Sequence, residues 1–92
     1  MTYTDGQAAA IWDILVRKAG ALDDPFDAAN FIGQCARGIG EWRFQGSLGF
    51  GGKLYEGRPP YVSCYPEDRT PERDRVIART NEALAALFTE TT

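Results

Sequence analysis

The stretch GSLGFGGK, residues 46–53, sets four glycines before a lysine and has the composition of a phosphate-cradling loop. That chemistry needs G-x-x-x-x-G-K-[ST], in which amides wrap the phosphates, lysine meets the terminal ones and a hydroxyl holds magnesium. Here Ser47 stands where the first glycine belongs, and Leu54 replaces the hydroxyl residue. The flanking pattern is strand on both sides, where a phosphate loop opens a helix. Nucleotide binding is therefore not expected, and the glycines read as backbone that must turn or be approached closely.

Other chemistries narrow in the same way. Histidine is absent, so Ser-His-Asp and Cys-His nucleophilic catalysis lack their base. Zinc sites of Cys₂His₂ or Cys₃His type are impossible, and the two cysteines, Cys35 and Cys64, cannot supply Cys₄ within one chain. A reactive thiolate needs cationic neighbours, and Cys64, in an alternating segment beside Tyr65, reads as a packed thiol. Asp23, Asp24 and Asp27 form one acidic cluster, and Glu67, Asp68, Glu72 and Asp74 another. Both lie at helix starts, where capping and the helix dipole account for them. No catalytic residue, cofactor or metal site is expected, and the chain reads as a non-enzyme.

Net charge is −3, and only the segment 41–65 has a positive excess. Duplex DNA binding calls for several clustered basic contacts, which are missing. Equally, −3 is too small for mimicry of DNA. No apolar run is long enough to cross a membrane. The polar start MTYTDGQ has no secretory pattern, and two cysteines make no disulfide framework, so a cytoplasmic protein with two buried thiols is expected.

The elements that would position any surface are legible from periodicity. Residues 1–92 read as a single globular domain with a frayed tail about 89–92. In the first helix Ala8, Ile11, Trp12, Leu15, Val16 and Ala19 share one face. Thr4 and Gln7 form a capping box, Asp5 opposes Arg17 and Lys18 across the dipole, and Gly20 stops the helix. A second helix starts at Asp24-Pro25, carries Ala28, Phe31, Ile32 and Cys35 inward and ends near Gly38, with Gly33 pointing to close packing. Even positions from Trp42 to Leu54 are then apolar or glycine, a strand signal. The preferred turn is Gly51-Gly52 and the alternative a break at Gly46-Ser47. Whether 46–53 is a hairpin turn or a bulged strand stays open. YVSCY, residues 61–65, reads as a third strand whose start Pro59 and Pro60 confine to an edge. Last, Thr70 caps a helix with Pro71 first and Val76, Ile77, Thr80, Ala83, Leu84, Leu87 and Phe88 inward. On its outer face Glu72–Arg75 and Arg79–Glu82 are spaced for ion pairing. The order α-α-β-β-β-α predicts an α+β fold, a three-stranded antiparallel meander covered by helices.

On such a sheet Trp42, Phe44 and Phe50 fall on the core face. Arg43, Lys53, Tyr55, Arg58 and Tyr61 lie on or beside the polar face, and Tyr and Arg are typical binding hot-spot residues. These five are the candidate partner-binding residues. The same surface offers an alternative, stacking of single-stranded nucleic acid, while a small enzyme using carboxylates or a thiol is the third reading. Exposed strand edges also allow a homo-oligomer.

The strings RFQGSLGFGGKLY and YVSCYPEDRTPERD, covering roughly residues 40–88, resemble small actinobacteriophage proteins of unassigned function. The resemblance transfers no functional residue. It implies a phage gene product in the host bacterial cytoplasm that binds a host protein, a non-enzymatic factor of the host-takeover kind.

Overall fold

The computed structural model describes residues 3–19, 25–45, 49–55 and 60–89. Three helices carry the fold: α1 (Asp5–Ala19), α2 (Pro25–Cys35) and α3 (Pro71–Thr89). Two strands, β1 (Gly40–Gln45) and β2 (Gly49–Leu54), pair antiparallel as the one sheet among the described residues. Short 3₁₀ turns at Ala36–Gly38 and Pro66–Asp68 follow α2 and precede α3.

Local chemistry explains each helix start. Thr4 N–H donates to Gln7 Oε1 at 3.0 Å and Gln7 N–H to Thr4 Oγ1 at 3.1 Å, the reciprocal capping box. At α3, Arg73 N–H donates to Thr70 Oγ1 at 3.1 Å, and Pro71 occupies the first position, where its missing N–H costs nothing. The expected start of α2 at Asp24 and the stop at Gly20 lie outside the described residues.

The helices then bury their apolar stripes against one another. Helix α1 packs on α3, α2 and β2, and Ile11 and Leu15 are fully buried. Ile14 joins them in the core, while Trp12 packs at its margin. Phe31, Ile32 and Cys35 of α2 and Val76, Thr80 and Leu84 of α3 complete the stripes that the spacing predicts. Gly33 lies buried among them. Thr80 is acceptable there because its hydroxyl donates to the Val76 carbonyl at 2.7 Å. Tyr3 closes the ends of the bundle by an edge-to-face contact with Phe88, centroids 5.7 Å apart. Helix α3 continues through Thr89, and residues 90–92 of the predicted frayed tail lie outside the described part.

The predicted α+β three-stranded meander is not the fold. Helices of 15, 11 and 19 residues dominate two strands of six each, and the third strand does not form. The preferred hairpin at Gly51-Gly52 is also corrected. The ladder pairs Trp42 with Gly52, Arg43 with Gly51 and Phe44 with Phe50, so both glycines sit inside β2 and the chain reverses between Gln45 and Gly49. Even positions of the two strands stand opposite one another. The alternative break at Gly46-Ser47 falls on residues 46–48, outside the described residues.

Residues 61–65 keep the alternation of a strand without its ladder. Tyr61, Ser63 and Tyr65 are exposed, Val62 is buried and Cys64 half-buried. The reason is a side chain on α3. Asn81 Oδ1 accepts from Val62 N–H at 2.7 Å, and Asn81 Nδ2 donates to Val62 C=O at 2.9 Å. One carboxamide thus supplies the donor and acceptor of a neighbouring strand, and a buried peptide needs both. On the outer face of α3 the expected Arg79–Glu82 pairing gives way to a contact from Arg79 Nε to the Arg75 carbonyl, 3.4 Å.

Asn81→Leu removes both bonds and leaves the Val62 peptide unpaired. We expect a loss of about 2 kcal/mol, seen as a lower urea midpoint with unchanged slope, whereas exposed Glu82→Ala on the same helix changes stability by less than about 0.5 kcal/mol.

Candidate functional site

The last turn of α2 is where the chain converges. A helix end leaves carbonyls without intrahelical donors, and here arriving segments supply them. The 3₁₀ turn closes with Ile39 N–H on Ala36 C=O at 2.8 Å. Ile39 C=O then accepts from Tyr55 N–H at 2.7 Å, and Cys35 C=O from Ser63 N–H at 3.3 Å. Two separate segments, the exit of β2 and the extended run 60–65, therefore hang from carbonyls four residues apart.

Both segments carry exposed tyrosine. Tyr55, Tyr61 and Tyr65 are 47%, 53% and 64% accessible and are the exposed large hydrophobics among the described residues. Beside Tyr65 lies an open cleft of 240 Å³ lined by Cys35, Arg37, Ser63, Cys64 and Asp68 among others. Its far wall is the second 3₁₀ turn, held by Asp68 N–H on Tyr65 C=O at 3.0 Å. Arg73 braces that turn from α3. Its Nη1 donates to Asp68 C=O at 3.0 Å while its guanidinium lies 4.8 Å from the centre of the Phe31 ring. A cation over an aromatic face contributes about 0.5–2 kcal/mol, so one side chain ties the cleft wall to α2.

The two cysteines meet in this cleft as free thiols, Cys35 buried and Cys64 half-buried. Burial, then the neighbouring Cys64, push the Cys35 thiol up to about 12 despite the pull of Arg73. Cys35 is thus a neutral thiol at physiological pH. The acidic residues do structural work at the helix start, with Asp74 Oδ1 paired to Arg69 Nε at 2.8 Å on the exposed surface. Among the described residues no three of Cys, Asp or Glu gather as a metal-binding group.

Of the five predicted partner-binding residues, two are exposed on segments bonded to the Ile39 and Cys35 carbonyls. Tyr55 and Tyr61 are exposed around the α2 end. Arg43 and Lys53 stand at ladder positions opposite Gly51 and Glu41. Arg58 lies outside the described residues. Tyr65 and Arg37 join the cleft without having been predicted. The alternation 61-63-65 that exposes Tyr61 also exposes Tyr65, so its signal was present, whereas nothing in the sequence places Arg37 on a 3₁₀ turn. No helix among the described residues is long and apolar enough to cross a membrane. Compared with known proteins, the chain matches no family model, no curated sequence and no solved structure.

The Cys35 proton gives a pH signature. Unfolded, the thiol ionises near its ordinary value of about 8.5, and folded only at about 12. The folded state holds the proton more tightly, so this stabilisation is complete below about pH 8.5 and is lost as pH rises towards 12. Between pH 8 and 10, urea midpoints of the reduced protein should fall more steeply than those of Cys35→Ala, and parallel curves would refute the assignment.

Proposed function

We propose that this chain is a non-enzymatic binding factor that holds a protein partner against the tyrosines around the end of α2. The observation that carries this reading is the exposure of Tyr55, Tyr61 and Tyr65 on two segments anchored to one helix end. Tyrosine supplies wide apolar contact and a hydroxyl at low entropic cost, which is why it recurs in binding hot spots. Val62, between them in sequence, is held on both its polar groups by Asn81, so the segment is ordered before any partner arrives. Such preorganisation lowers the cost of association. Arg37 and Asp68 beside Tyr65 offer charges of both signs for registering a partner. The setting of this reading is a phage product acting on a host protein in the host cytoplasm.

The test begins with the immobilised full chain and host lysate, with and without nuclease. The retained protein is then purified and titrated. Tyr61→Ala and Tyr65→Ala should each raise its Kd at least tenfold, about 1.4 kcal/mol, with urea midpoints unchanged. Unaltered affinity in both variants would place the partner elsewhere. Loss of all retained material on nuclease treatment would favour the single-stranded nucleic-acid reading.

A further inference from the structure

Cys35 and Cys64 are neighbours in space although far apart in sequence. Cys35 ends α2, Cys64 lies on the extended segment, both are free, and both line the 240 Å³ cleft. Cys64 packs against the buried cluster that contains Cys35. The main chains run together as well, with Ser63 N 3.3 Å from Cys35 O. A disulfide needs Cα atoms about 4.4–6.8 Å apart, and segments joined by a direct amide–carbonyl bond beside the bridging residue approach to that order of distance. Cys64 also lines a second opening of 150 Å³ with Val62, Arg69 and Ile77.

We propose that Cys35 and Cys64 form an oxidisable dithiol that a hydroperoxide closes to an intramolecular disulfide. Cys64, the more accessible thiol, attacks the terminal peroxide oxygen as its thiolate. The O–O bond breaks, the alkoxide leaves with the thiol's proton as an alcohol, and Cys64 becomes a sulfenic acid. Cys35 Sγ then attacks Cys64 Sγ. The S–O bond breaks, and hydroxide leaves with the Cys35 proton as water. Two thiols have lost two electrons, and the hydroperoxide has become alcohol and water.

The surroundings suit this order. Burial keeps Cys35 protonated, so Cys35 does not react first. The attraction of Arg73 favours the Cys35 thiolate when Cys35 attacks in turn. The resulting bridge closes a loop of about 30 residues and fixes the Tyr61–Tyr65 segment to α2. By loop-closure entropy such a bridge raises the melting temperature by about 20 °C.

Reduced full-length protein treated with hydrogen peroxide in slight excess tests the proposal. Intact mass should fall by two hydrogens, peptide mapping should yield one Cys35–Cys64 crosslink, the protein should stay unlinked to other chains, and dithiothreitol should reverse the melting shift. In Cys35→Ser, dimedone should trap Cys64 sulfenic acid. In Cys64→Ser, a change at a half-buried position, Cys35 should react with peroxide at least tenfold more slowly than Cys64 does in the wild type. Over-oxidation of Cys64 beside an untouched Cys35, disulfides only between chains, or equal reactivity of Cys35 in Cys64→Ser would each overturn it.

Discussion

A buried peptide group must find hydrogen-bond partners wherever it lies, and at Val62 both partners come from one side chain. The residue is 1% accessible, and Asn81 meets its N–H and its C=O together. A strand would normally satisfy that demand with a ladder. Here the carboxamide lets a single extended segment lie against a helix with no sheet beneath it. Tyr61, Ser63, Cys64 and Tyr65 take their directions from that one fixed point, because alternation along an extended chain follows from any residue held inward.

The end of α2 is the second fixed point, and it works by the same logic seen from the acceptor side. Helix termination frees the Cys35 carbonyl, which collects Ser63, and the Ile39 carbonyl beyond the 3₁₀ turn takes the Tyr55 N–H beside the first ladder pair. The exposed aromatic surface and the thiol cleft are therefore by-products of main-chain satisfaction at a helix end. Arg73 completes the frame by joining the Pro66–Asp68 turn to Phe31 through a hydrogen bond and a cation–π contact. Among the described residues every buried side-chain nitrogen and oxygen has a partner, which a domain of this size needs when its apolar core is small.

The helices were legible because their causes are local. Thr4 and Gln7, Thr70 and Pro71, and the stripes through Ile11, Phe31 and Val76 act within a few residues of one another. Ile14 was missed because Trp12 and Val16, larger or equally apolar, suggested a stripe rotated slightly around α1. The period of two in residues 61–65 was also legible and identified which side chains face out. It could not identify what the backbone bonds to. A strand in a sheet and an extended chain clasped by an amide have the same alternation, and Asn81, nineteen residues away, carries no mark of its role.

Sequence by itself determined the three helices, the caps of the first and last, most of their buried faces and the lack of histidine. Those properties depend on residue type and short-range spacing. Only the tertiary structure decided that the third extended segment stays outside the sheet, that the hairpin reverses between Gln45 and Gly49, and that Cys35 meets Cys64. Each of these rests on groups distant in the chain competing for the same backbone donors and acceptors, and that competition is settled only when the helices pack.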